Sequence, residues 1–358
     1  METPTDREAI ARRLRPVHPP RAVDDVLSPA QHALALDLVR EHGPWDLIVK
    51  HHFASLEELV ATSSGGAPLP PDASLDAFLT PTFRGFFANA GVCLHPEAEP
   101  LFYERRFMAW ARDFWNARYC QPMKILFNVN GPAWNYDPGH LDSPRFRGMV
   151  LANTPTWLLS VMGKSGLFQA WAIKMAEVIV WFQRDLESGG FTYWPDGPLA
   201  PPQRLAPPLW NRGVVTHNTA MYHRGESNGP VERRANPKGL AFDSTFRGDP
   251  ADRDRWQIRT GDDVIATYAT DELRFLLHWD AELYADLDDM KMHLDHVDDL
   301  DADRVFDVLV ADLRARGVPF DVPSDPLHDP AFIGLLARTY DVPPSHYPEE
   351  APVARHAA

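Results

Sequence analysis

His140 and Asp142 stand one residue apart in Pro138-Gly-His-Leu-Asp142, and His223 closes a later stretch, Thr216-His-Asn-Thr-Ala-Met-Tyr-His223. Two imidazoles and one carboxylate are the ligand set of a non-haem iron(II) centre, which occupies one face of the metal and leaves the other open. Open positions distinguish a catalytic metal from a structural one. Residues i and i+2 of a strand share a face, so His140 and Asp142 can reach one point while Leu141 turns away. A strand in the opposite wall would bring His223 to that point. A second His-x-Asp, His293-Leu-Asp295, lies in an Asp-rich run without strand pattern and reads as a solvated face.

The elements that would hold these ligands come next. Met123–Asn130 is a β-branched and aromatic run closed by Gly131-Pro132, hence a strand. Its alternation puts Lys124, Leu126, Asn128 and Asn130 on one face and Ile125, Phe127 and Val129 on the other. A polar inward face needs a ligand to address, and Asn128, Asn130 and Trp134 are candidate cavity residues. Gly189–Trp194, the stretch from Arg212 and Leu240–Phe246 read as further strands. The proline-dense 195–208 is long enough for a lid.

Outside this middle the pattern is helical. Residues 1–25 read as an extended arm. Ser28-Pro-Ala-Gln31 is a capping-box start for a helix that Gly43-Pro44 stops. A helix is expected over 55–61, a loop over 63–71 and an amphipathic helix over Leu101–Arg118. Thr156–Ser188 reads as helical with a break at Gly163–Gly166, as do Glu272–Leu283 and Asp303–Arg316. The expected organisation is one domain over 1–358: helical support over 1–120, a mainly β core over 121–268 with the metal site, and a helical extension over 269–358.

An apolar fraction of 44% and 11% aromatics are ample for a packed core, so the chain is globular. A net charge of −15 argues against a nucleic-acid partner, because phosphate contacts need clustered Lys and Arg. Cys93 and Cys120 are too few for a disulfide framework, which points to a cytoplasmic setting. The polar start of the chain reads as no signal peptide, and the apolar window near Leu167–Phe182, broken by Gln169, Lys174 and Glu177, as no membrane span.

His140-Leu-Asp142 together with Asn211-Arg-Gly213-Val-Val-Thr-His-Asn-Thr-Ala-Met-Tyr-His223-Arg-Gly225 resembles the Fe(II)/2-oxoglutarate-dependent oxygenases, in their phytanoyl-CoA-dioxygenase-like branch. The likeness covers the central part of the chain. It implies a double-stranded β-helix (cupin-like jelly roll) with flanking α-helices at both ends, and iron held by His140, Asp142 and His223. It also implies 2-oxoglutarate and O₂ as co-substrates, and oxidation of an unactivated C–H bond of a small molecule with release of succinate and CO₂. In that branch a basic residue ten or eleven positions past the distal histidine grips the remote carboxylate of 2-oxoglutarate. Arg234 is the first candidate for this clamp and Arg233 the second, with Asn128 beside them, since a guanidinium fork matches a carboxylate. Asp142 stands where halogenating relatives carry a small residue, which favours hydroxylation or another oxidation. Arg145, Trp134, Asn130 and Trp194 are candidate substrate contacts. A non-oxidative metal- or ligand-binding barrel and a metal-dependent hydrolase or isomerase are the alternatives.

Overall fold

The computed structural model describes residues 4–346 apart from 54, 57–58, 60–78 and 185–186; the helix expected over 55–61 and the loop over 63–71 lie largely outside the described residues. In chain order the strands are β1 (Arg21–Val23), β2 (Trp45–Asp46), β3 (Thr82–Asn89), β4 (Val92–Cys93), β5 (Tyr119–Asn130), β6 (Lys174–Gln183) and β7 (Phe191–Tyr193). They continue as β8 (Gln203–Leu205), β9 (Leu209–Thr216), β10 (His223–Gly225), β11 (Thr245–Gly248), β12 (Arg255–Thr260), β13 (Asp263–Ala269) and β14 (Arg274–Tyr284).

A seven-stranded sheet has the order β1-β9-β6-β14-β5-β3-β4, and a three-stranded sheet the order β10-β7-β8. Isolated bridges pair Ala133 with Asn228 and His140 with His223, so residues 133–140 run beside β10 as a fourth member of the smaller sheet. Between β5 and β14 the chain thus crosses back and forth between two facing antiparallel sheets, larger sheet β5-β14-β6-β9, smaller sheet 133–140-β10-β7-β8. That winding is the double-stranded β-helix.

Alternation along the strands creates two environments. Phe127 and Val129 of β5 and Phe275, Leu277 and Trp279 of β14 face outward into one buried cluster with Leu38, Phe107 and Phe114 of the helices Pro29–Glu41 and Arg105–Trp115. Truncating one such aromatic to Ala would cost about 3–5 kcal/mol. The inward face carries Asn128, Asn130, Arg274 and His278 instead, across a cavity of about 280 Å³. Ile179, Trp181 and Val214 meet Phe191 and Leu205 of the smaller sheet and close the sandwich beside it. The capping box at Ser28 forms, and it contributes about 1 kcal/mol to fixing the helix it starts.

Several expectations change. Glu272–Leu283 is not helical: Arg274–Tyr284 is a central strand, so the β core does not end at 268. Its alternation of Phe275, Leu277, Trp279, Ala281 and Leu283 with Arg274, His278, Asp280 and Glu282 is a period-two signal, masked by Leu276. Thr156–Ser188 splits into a helix, Thr156–Ser165, and β6, whose near-continuous apolar run is buried on both faces and carries no period. Residues 1–25 include a helix, Pro4–Arg13. Leu101–Arg118 breaks into Glu99–Phe102 and Arg105–Trp115. The strand expected over Leu240–Phe246 starts only at Thr245, and the loop 195–208 contains β8. The β11–β13 hairpins, inserted between β10 and β14, join β2 in a separate four-stranded sheet, which packs on β3 through Phe83 and Phe246, ring centroids 5.5 Å apart. Asp303–Arg316 is helical over Ala302–Ala315, close to expectation.

Candidate metal centre

His140 ends the segment 133–140 and His223 begins β10, and the two main chains exchange hydrogen bonds of 3.0 Å in both directions. This narrow pairing sets the rings side by side, centroids 4.4 Å apart. Asp142 follows, its N–H donating to the Asn218 carbonyl at 3.1 Å. Its Oδ1 lies 3.8 Å from His140 Nε2 and 3.9 Å from His223 Nε2. All three ligand atoms lie within 4.8 Å of one another, and among the described residues they are the one such group. The strand expected from Arg212 does not run on to His223. β9 ends at Thr216, and a turn carries the chain to the other sheet. His217 sits in that turn against Trp115, centroids 4.7 Å apart, away from the triad.

The neighbours of the triad prepare it for a cation. His140 Nδ1 meets Asp137 Oδ2 at 2.6 Å, and His223 Nδ1 meets the Met221 carbonyl at 3.1 Å. Both rings therefore donate from Nδ1 and turn Nε2 toward the shared point, the arrangement that fixes metal-binding imidazoles. Burial works against charge on His140, but the Asp137 carboxylate overcomes it and raises the group to about 9, so in the metal-free protein Nε2 carries a proton that a metal ion would displace. His223, buried and beside His140, is lowered to about 4 and stays neutral. Asp142 is buried too, yet the imidazoles of His223, His278 and His140 hold it well below the usual carboxylate range. Its Oδ2 is buried without a hydrogen-bond partner. An ionised, unpartnered buried oxygen is costly unless a cation completes it, so the donor set fits a divalent metal.

Two guanidinium groups enter the same cavity. Arg274 lies opposite Asn130 in the β14–β5 register, and Arg84 of β3 lies opposite Asn128. Burial lowers Arg274 to about 10, only partly offset by Glu226. Its Nε and Nη2 are buried with no hydrogen-bond partner. Glu226 is already committed: Arg204 grips it through two bonds of 2.7 and 2.6 Å, and Thr192 and the Gly190 N–H add two more. Gly225 leaves room beside this guanidinium: a Cβ there would stand 3.0 Å from Nη1, close enough to make it shift by a few tenths of an ångström.

The other candidate residues divide. Asn128, Asn130 and Trp134 line the cavity. Asn130 spends its amide on Asn228 Oδ1 and the Gly131 carbonyl, a brace between sheets, at 2.7 and 2.8 Å. Arg234 does not line the cavity: its guanidinium lies over the Trp134 ring, 4.9 Å from the ring centre, and Nε donates to the Gly229 carbonyl. Arg233 pairs with Glu272. Arg145 does not line the cavity either; it binds Glu282 at 2.9 Å and Asp280 at 3.5 Å, further along the same inner face of β14. Trp194 is wholly buried in the C-terminal helical cluster, its Nε1 on the His346 carbonyl. His293 lies 3.6 Å from Glu282, and His296 pairs with Asp299, so the second His-x-Asp gathers no ligand set. The residues missed in the sequence are Arg274, Arg84, Asp137 and His278. The alternation of β14 was the available signal for two of them.

No protein-family model matches the chain, and no curated protein matches it in sequence. Solved structures do. The chain is similar to an oxidoreductase of the 2OG-Fe(II) oxygenase family from Burkholderia pseudomallei, at 15% identity over 78% of this chain and 93% of that one, TM-score 0.38. It is similar to a Pseudomonas putida prolyl-4-hydroxylase, at 9% identity over 78% and 98%, TM-score 0.34. A third likeness is to SnoN, a non-haem alpha-ketoglutarate-dependent epimerase of nogalamycin biosynthesis, at 12% identity over 78% and 83%, TM-score 0.32.

Proposed function

We propose that this chain is an Fe(II)- and 2-oxoglutarate-dependent oxygenase that oxidises an unactivated C–H bond of a small molecule. The observation that carries the reading is Arg274: a guanidinium with two buried, unpartnered nitrogens in the cavity that holds the His140–Asp142–His223 triad. A buried cation without an anion is unstable, and a diacid anchored by one carboxylate at Arg274 supplies it. A barrel that only held a metal would have no use for that second anchor.

In this reading His140, Asp142 and His223 hold the iron, and Arg274 replaces Arg234 as the clamp for the remote carboxylate of 2-oxoglutarate. The interval from His223 to Arg274 departs from the ten or eleven positions of the phytanoyl-CoA-dioxygenase-like branch because β11–β13 are inserted, so the reading is of the wider oxygenase class. Iron(II) with 2-oxoglutarate and O₂ would supply the oxidising chemistry, releasing succinate and CO₂. The chain's own part is to position. Asp137 keeps His140 in the tautomer that offers Nε2. Trp181, Phe191 and Leu276 wall the cavity with apolar surface, which excludes water and strengthens each ionic contact inside.

The test is anaerobic addition of Fe(II) and 2-oxoglutarate to the apoprotein. A visible charge-transfer band is expected in the wild type, and in Arg274→Met only at much higher 2-oxoglutarate, by about 100-fold or more for a lost charge-assisted pair. Absence of the band from correctly folded wild type refutes the reading.

A further inference from the structure

Arg84 is a second cation in the cavity, and it reaches in from a different strand. β5 lies between β3 and β14, with Arg84 opposite Asn128 and Arg274 opposite Asn130. Two strand spacings and two residues along the strand separate their α-carbons by roughly 12 Å. The two are placed to take different groups.

The partners of Arg84 are neutral. Its Nε donates to Asn128 Oδ1 at 2.9 Å, and Nη1 lies 3.2 Å from His52 Nε2. No hydrogen bond leaves Nη2 within the described residues, and no carboxylate is in ion-pair contact with the group. Its closest acid in effect is Asp142, to which it makes no hydrogen bond and which three imidazoles already oppose. Burial lowers Arg84 to about 10, with Asp142 only partly restoring it. The contact with Asn128 uses that residue's one acceptor, leaving its amide nitrogen as a donor beside the guanidinium. An arginine fixed by neutral neighbours, with an unused edge and an amide next to it, is a receptor for a carboxylate.

We propose that Arg84, with Asn128, binds a carboxylate carried by the substrate, so that the molecule oxidised beside the metal is a small carboxylic acid rather than a neutral or cationic compound. This rests on the oxygenase reading, in which Arg274 is taken by 2-oxoglutarate. Ile48, Trp134 and Leu276 then face the uncharged part of the acid.

The test is protection from butanedione, an arginine-selective reagent, mapped by mass spectrometry on the full chain loaded with Zn(II) so that no turnover occurs. 2-Oxoglutarate should slow modification of Arg274 and leave Arg84 reactive. With 2-oxoglutarate kept saturating, the twenty proteinogenic L-amino acids, benzoate and hexanoate are added, each beside its primary amide. At least one acid should slow Arg84 modification, about tenfold at ten times its Kd, and its amide should not. That acid should then stimulate O₂ uptake by the iron enzyme, with a KM about 10–100-fold higher in Arg84→Met.

Failure of 2-oxoglutarate to protect Arg274 would refute the oxygenase reading. Protection of Arg84 by 2-oxoglutarate itself, protection by no acid in the panel, equal protection by amides, or an Arg84 already inert in the ligand-free protein would each overturn the proposal made here while leaving that reading standing.

Discussion

His140 and His223 are joined twice through their main chains, N to O at 3.0 Å in each direction, so the two imidazoles are held by the sheet and not by their own side-chain packing alone. The metal site is therefore prearranged, and a divalent cation needs to order little when it binds. It should stabilise the fold by about 2.7 kcal/mol at a hundred times its Kd. Thermal melts with and without Fe(II) or Zn(II) should show that gain in wild type. In His140→Ala the gain should vanish while the metal-free Tm stays near wild type, because the backbone pair survives the substitution.

Asp137 is placed to set the tautomer of His140 through a 2.6 Å contact. Asp137→Asn keeps the size of the side chain but removes the charge that raises His140. Metal affinity should fall about 10–100-fold, the usual loss when the partner of a ligating imidazole is changed. Competition against a chromophoric chelator measures it; an unchanged Kd would mean that Asp137 only shapes the loop.

Gly225 lies beside Arg274, and a Cβ there would approach Nη1 to 3.0 Å. Gly225→Val adds still more bulk where the guanidinium must stand. The expected result is weaker 2-oxoglutarate binding, by about tenfold or more, with metal affinity unchanged, read by anaerobic titration of the charge-transfer band. Equal loss of metal and 2-oxoglutarate would place the damage in β10 as a whole.

Stability should depend on pH through histidines outside the site. Burial, and then Arg184, lowers His32 to about 4, stacked on Phe182 at 4.0 Å; burial alone lowers His217 to about 4. Unfolded, each titrates near 6.5. Between those values the unfolded chain binds more protons than the folded one, so stability rises with pH across that window and is lost as pH falls from about 6.5 to 4. Urea midpoints of metal-free protein at pH 7.5, 6 and 5 should decline in that order. His32→Phe should flatten the decline; an identical slope in the variant would exclude His32 as a contributor.

The residue pattern by itself carried the local facts. A period of two makes His140 and Asp142 share a face, and it separates Asn128 and Asn130 from Phe127 and Val129, because both follow from strand geometry over a few residues. The start of the helix Pro29–Glu41 was legible for the same reason, since a capping box is a contact between neighbours in sequence. The nature of β6 and β14 was not. Central strands buried on both faces lose the clean alternation that marks an edge or half-buried strand, and an apolar run can pack as helix or strand until its neighbours decide.

Arg274 illustrates the cost of that ambiguity. Counting positions from His223 pointed to Arg234, yet an inserted sheet pushes the last barrel strand further along the chain, and only the pairing of β14 with β5 and β6 brings a guanidinium back into the cavity. Ligand spacing is a local property of the chain. Which cation faces the metal is decided by strand order, which depends on contacts between residues far apart in sequence, and these no local pattern encodes.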